Sequence, residues 1–201
     1  MELFDNIREY RVILGSGSPR RKELLAMLDI DFEVRSAGDV DESYPADLPA
    51  EEVPLYLARK KSSAFLSGLR ENELVITADT VVISDNNVLG KPADTEEAFR
   101  MLKMLSGRKH AVVTGITVAT REIQISDTAI TEVEFAPLSD DTIREYIGRY
   151  RPMDKAGAYG IQEWIGAVAV KGINGSFYNV MGLPLHLLTT LLLRIPVRKH
   201  Q

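Results

Sequence analysis

Apolar residues along this chain come as short continuous runs and as longer runs spaced three and four apart, and the two kinds alternate nearly throughout. The first kind suits strands; the second suits helices with one inward face. Their alternation predicts an α/β fold rather than helices and strands kept in separate blocks. Residues 12–14 read as a strand, 15–19 as a small-residue turn, and 20–28 as a helix with Leu24, Leu25 and Leu28 on one side. A strand at 32–35, an acidic loop at 39–44 and a helix at about 51–66 follow. Pro54 falls in the first turn of that helix, where a proline is tolerated.

Residues 74–77 and 81–84 are apolar and flank Ala78, Asp79 and Thr80, so a strand is expected to bend or end around Asp79. Asp94 with Glu97 forms a capping box for a helix through Leu105, and Gly107 stands where a C-terminal cap belongs. The β-branched segments 110–120 and 125–135 predict a hairpin turning near Arg121 and Glu122. A helix from Ser139 to about Tyr150, stopped by Arg151 and Pro152, precedes an irregular stretch at 153–163. A strand at 165–170, a turn through Asn174, Gly175 and Ser176, and an apolar helix at 183–193 complete the reading. Met27, Met101 and Met104 are expected to fill helix cores.

Composition narrows the chemistry. With 201 residues, 45% hydrophobic and 26% charged, the chain can bury one generous core, and a single unit over 1–201 is expected. It contains no cysteine, which removes disulfides and thiolate metal sites and leaves oxygen or imidazole as metal donors. His110, His186 and His200 have no metal-ligand spacing. The net charge of −5 argues against nucleic acid as a partner. No apolar run reaches the ~18 residues needed to span a bilayer, and the N-terminus lacks the basic start and apolar core of a secretory signal. A cytoplasmic location, with no membrane partner, is the expectation.

The basic residues gather locally. Ser16, Ser18, Arg20 and Arg21 stand where a strand hands over to a helix, with Gly15 and Gly17 among them. Backbone N–H groups at a helix N-terminus and planar guanidiniums suit phosphate oxygens. The same stretch also reads as a glycine turn with two solvated arginines, and it lacks the spacing of a Walker loop. Asp79 is a carboxylate in apolar surroundings, suited to a metal ion or to water activation, or else to capping a turn. Lys61 shares the spacing of Leu57 and Phe65 and so an inward face, whereas Lys91 sits in an extended Gly90–Pro92 loop. Both also read as ordinary surface lysines. The run from Asp154 to Gln162 is small and flexible; Gln162 offers an amide to a nucleobase, and the plain alternative is a connector with a surface ion pair.

Taken together, SGSPRRKELL at 16–25, ADTVV at 78–82, GKPADTEEAFRMLKMLSG at 90–107 and DKAGAYGIQ at 154–162, in this order, resemble the Maf family of nucleoside triphosphate pyrophosphatases. The resemblance covers about 12–193. It implies a Maf/ITPase-like fold: an elongated mixed β-sheet with flanking helices and two lobes around a nucleotide cleft. It implies cleavage of a nucleoside triphosphate between its α and β phosphates. By position, Asp79 becomes the acid-base residue, with Ser16, Arg21, Glu42, Lys61 and Lys91 on phosphates, metal or attacking water, and Asp79 with Glu42 as ligands of a divalent metal, most fittingly Mg2+. Arg20, Thr80 and Gln162 match the residues that accompany pyrimidine choice in the dTTP/UTP branch, and AGAYGIQ is typical of it. Gly90 replaces a glutamate that relatives can carry before the lysine. The family also contributes two other expectations: clearance of modified or non-canonical nucleotides, and nucleotide-binding regulation of septum formation. Homodimers are common among its members.

Overall fold

The structure, a computed structural model, describes residues 3–36 and 38–198, so His200 lies outside the described residues. It is an α/β protein with a mixed seven-stranded sheet in the order β2-β1-β3-β5-β6-β7, with β4 paired to β3. The chain divides into two compact units: 1–79, 114–129 and 182–201, and then 80–113 and 130–181.

In the first unit, β1 (Arg11–Leu14) pairs in parallel with β2 (Phe32–Val34) and with β3 (Glu73–Ser84), in a register that places Leu14 opposite both Val34 and Ile76. Helix α1 (Pro19–Ala26) starts at Ser18, whose side chain caps it, and proline at its first position matches the fixed φ that a helix start needs. Helix α2 (Val53–Leu66) lays Leu57, Ala58 and Phe65 inward, and Ile13, Phe65, Leu69, Val75 and Ala119 form a core. In the same unit, Asn6 donates to the carbonyls of Leu192 and Ile195, both at 2.8 Å, and so satisfies the C-terminal end of an apolar helix over 185–192.

In the second unit, the end of β3 pairs antiparallel with β4 (Asn87–Leu89) across a two-residue turn in which Asp85 and Asn86 both take positive φ, the geometry of a tight hairpin. Helix α3 (Thr95–Leu105) is capped by Asp94, whose Oδ1 accepts from Glu97 N–H at 2.8 Å; Glu97 in turn accepts from Ala93 N–H, one residue before the position a strict capping box would use. The long strands β5 (Lys109–Ala119) and β6 (Gln124–Phe135) are neighbours in the sheet, as the hairpin reading expects. Helix α4 (Asp140–Tyr150) starts on Ser139 and ends at Arg151 in the left-handed region. Leu102, Leu105, Phe135, Ile143, Tyr146 and Ile165 lie in a large core.

Three expectations are corrected. Strand β3 does not break at Asp79 but runs unbroken from Glu73 to Ser84, because the carboxylate finds a cationic partner and the strand need not expose it. The segment expected as a strand over 165–170 is helix α5 (Trp164–Ala169), with β7 (Val170–Asn174) beginning where that run ends. Ile165 and Ala169 are buried while Ala167 and Val168 are exposed, a spacing of four that strand alternation cannot give. A short helix, α6 (Phe177–Met181), comes between that strand and the last helix, α7 (Leu185–Leu192). Met27 caps the end of α1 and is 55% exposed, outside any core, whereas Met101 is buried and Met104 packs against one.

Candidate functional site

The glycine-serine turn after β1 is held by close packing. A Cβ on Gly15 would lie 2.8 Å from the Phe65 ring and 2.9 Å from Thr77 Cγ2, so only glycine lets the chain pass. Ser16 Oγ accepts from Ser18 N–H at 3.2 Å and from Arg21 Nη1 at 3.5 Å. Arg21 is anchored further, its Nε donating to Gly182 O and its Nη1 to Ala78 O, both at 2.8 Å. Removal from water lowers its pKa, and attraction to Asp79 opposes this; a guanidinium keeps its charge regardless. Arg20 is half-buried and close enough for its charge to add to the lowering at Arg21.

Asp79 stands one residue beyond Ala78, and Lys61 from α2 reaches it. Lys61 Nζ lies 2.5 Å from Asp79 Oδ1 and 2.9 Å from Glu42 Oε1, with side-chain exposures of 17%, 13% and 58% respectively. The spacing of Lys61 with Leu57 and Phe65 therefore does face inward. Thr77 Oγ1 donates to Ala58 O at 2.7 Å and so fastens α2 to the strand that carries Asp79. Glu42 is brought in by a clamp that the sequence reading missed. Lys60 Nζ binds Asp41 Oδ2 at 2.8 Å and Ser43 O at 3.0 Å, and Asp41 Oδ1 accepts from Ser43 N–H at 2.9 Å. Bonds from Lys60 and then Ser43 hold the Asp41 carboxyl far below the ordinary range. The signal was present as two adjacent lysines on one helix and three acids on one loop.

Among the described residues no group of three or more His, Cys, Asp or Glu gathers to hold a metal. Asp79 and Glu42 nonetheless converge on one ammonium, and two carboxylates are what a Mg2+ ion takes from a protein when substrate phosphates and waters complete its shell. The donor set fits such an ion. No described helix is long and apolar enough to cross a membrane.

The second unit contains Thr80, Lys91 and Gln162. Thr80 is half-buried on β3, and Lys91 and Gln162 are exposed. The loop before Gln162 bonds to the loop before Lys91, with Gly157 N–H donating to Gly90 O at 3.0 Å. Lys155 is not part of a surface ion pair. It is buried, with Nζ 2.9 Å from both Asp154 Oδ1 and Glu163 Oε1. Tyr146 and Glu163 were likewise missed; charged residues inside a run of small ones were the one clue. The structure thus brings Ser16, Arg21, Lys61, Asp79 and Glu42 together within the first unit, and ties the Lys91 and Gln162 loops within the second.

The family described as Maf-like protein matches residues 11–195. A protein of Porphyromonas gingivalis called dTTP/UTP pyrophosphatase is 56% identical over 188 residues, 92% of this chain and 94% of that one. One of the same name from Bacteroides thetaiotaomicron is 54% identical, covering 91% and 95%. Another from Flavobacterium johnsoniae is 47% identical, covering 90% and 93%. A solved HAM1 protein from Coxiella burnetii overlays at a TM-score of 0.45 with 16% identity, covering 91% of this chain and 98% of that one, a likeness too loose to carry an argument. Matched from residue 11 to residue 195 and more than half identical to two of these relatives, the chain belongs to the Maf family.

Proposed function

We propose that this protein is a nucleoside triphosphate pyrophosphatase that hydrolyses dTTP and UTP to the monophosphate and pyrophosphate. The observation that carries this is Lys61 Nζ set between Asp79 and Glu42, with Arg21 anchored one residue away at Ala78, in a chain 56% identical to a protein named for that activity. A site that only bound nucleotide would gain nothing from a part-buried carboxylate beside its phosphate cations.

In this reading Asp79 orients a water and takes its proton as the oxygen attacks the α phosphorus. The bond from that phosphorus to the bridging oxygen breaks, and pyrophosphate leaves with the electron pair. Arg21, Lys61 and Lys91 offset the charge that develops on the leaving group, and Ser16 donates to a phosphate oxygen; such preorganised donors act on the transition state without rearranging. Lys61 also keeps Asp79 aimed until substrate arrives. A divalent cation, Mg2+ by its donor preference, would be held by Asp79 and Glu42 and would supply Lewis-acid polarisation and charge neutralisation. Arg20, Thr80 and Gln162 would choose the base, Gln162 by an amide that both donates and accepts. The two units act as one Maf-like domain on free nucleotides in the cytoplasm.

Product analysis with dTTP, UTP, CTP, ATP, GTP and methylated GTP tests this. Pyrophosphate and monophosphate from dTTP and UTP, lost on chelation, is the expected result. Preference for methylated GTP would move the chain to clearance of modified nucleotides. Binding without cleavage of any of the six would overturn the catalytic reading.

A further inference from the structure

Lys155 is a buried cation that the proposed chemistry leaves unused. Its side chain is 10% exposed and sits between Asp154 and Glu163, each at 2.9 Å. The other oxygen of Glu163, Oε2, accepts from Tyr146 Oη at 2.5 Å, and the same hydroxyl accepts from Gly160 N–H at 3.1 Å. Tyr146 comes from α4 and is fully buried. Burial, and then its bond to Glu163, raises its pKa far above the ordinary phenol range, so it keeps the proton that it donates. Gly160 has no room for a side chain: a Cβ would lie 2.9 Å from both Glu163 Cδ and Lys155 Cε. Residues 154–163 are thus closed on themselves around a satisfied polar knot.

Desolvating such charges costs more than an apolar filling of the same volume, so stability is a poor reason for having them, whereas directional bonds fix geometry. What they fix here is specific. Gln162 is exposed between buried Ile161 and the network's own Glu163, and Gly157 of the same loop bonds to Gly90, the residue before Lys91. We propose that Tyr146, Glu163 and Lys155 are positioning residues that hold Gln162 in place against the Gly90–Lys91 segment, so that base choice depends on a network that touches no substrate. The inference rests on the base-reading role given to Gln162 above.

Steady-state kinetics of Tyr146→Phe and Glu163→Gln with dTTP, UTP and GTP test it, well below the unfolding temperature. Tyr146→Phe removes one oxygen and both of its bonds. Its kcat/KM for dTTP and UTP should fall about 10-fold, carried by KM, while GTP changes less than about threefold, so the pyrimidine preference shrinks. Glu163→Gln keeps an acceptor for Tyr146 and should shrink the preference less, by about threefold. Equal losses on all three nucleotides, an unchanged preference in both variants, or failure of both to fold would overturn the positioning role. A wild-type enzyme indifferent to the base would overturn the reading of Gln162 itself, whereas one that discriminates alongside equally discriminating variants overturns this inference alone.

Discussion

Lys61 and Lys155 each sit between two carboxylates, with nearly the same burial, yet they are built for opposite ends. The partners of Lys155 are Asp154 and Glu163, both on its own loop, and Tyr146 locks the second of them with a neutral hydrogen bond. The partners of Lys61 lie on a separate strand and a separate loop, 18 and 19 residues away; each lysine has one exposed partner, Glu42 at 58% and Asp154 at 57%. The first arrangement closes a segment and has no reason to open. The second joins three pieces of chain through one ammonium, so an arriving phosphate and cation can take over its contacts. Two similar ion-pair counts therefore describe a fastener and a waiting site, and what separates them is the sequence distance between partners and the presence of a neutral lock.

Substitutions can break this contrast. The largest effect is expected at Asp79: Asp79→Asn should lower kcat on dTTP by about 10²–10⁴-fold with little change in melting temperature, as loss of a positioned proton acceptor does. Next, Lys155→Met should leave the part-buried Glu163 without its cation and cost about 3 kcal/mol, a fall in Tm of about 6–12 °C by calorimetry, while kcat on dTTP stays within about threefold. Lys61→Met should do the reverse, lowering kcat/KM by roughly 100-fold and Tm by at most a few degrees. If both lysine variants lose activity and stability in the same proportion, the contrast fails.

Acid should separate the two units as well. His110 in the second unit is buried, its Nε2 bonded to Tyr159 Oη at 2.8 Å and its Nδ1 without a partner, and burial lowers its pKa from 6.5 to about 4. The folded state then binds a proton less readily than the unfolded one, so its stability is whole above pH 6.5 and falls as pH drops toward 4. Glu73 in the first unit is fully buried against Arg35 at 2.8 Å, and that bond, then one from Arg70 N–H, lowers its pKa from 4.5 to about 2. Its contribution is present above pH 4.5 and is lost between 4.5 and 2. Hydrogen exchange measured from pH 7 to pH 3 should show residues around His110 weakening first, by on the order of 2 kcal/mol, and those around Glu73 later. Weakening in the opposite order would contradict both assignments.

Most of the local architecture was legible in the sequence because its causes are local. Asp94 and Ser139 mark helix starts through bonds reaching three residues, Gly107 follows the end of α3 with a positive φ, and the hairpin of β5 and β6 follows from β-branched runs flanking one turn. The inward face of Lys61 was legible too, since helical spacing alone places it. What escaped depends on groups far apart in the chain. The continuity of β3 through Asp79 requires Lys61 to be there, and a run such as 164–169 does not declare by length alone whether its burial will repeat every two residues or every four. The clamp of Lys60 on Asp41 and the knot around Glu163 were invisible for the same reason: loops reveal their residues in sequence but not which side chains they return to.

The central claim is that Asp79 activates a water for attack at the α phosphorus of a pyrimidine triphosphate. Hydrolysis of dTTP in oxygen-18-labelled water, with Mg2+ present, tests it most directly for wild type and Asp79→Asn together. The account predicts label in the monophosphate and none in pyrophosphate, with the variant slowed at least about 100-fold. Label in the pyrophosphate, or an Asp79→Asn enzyme turning over at the wild-type rate, would contradict it.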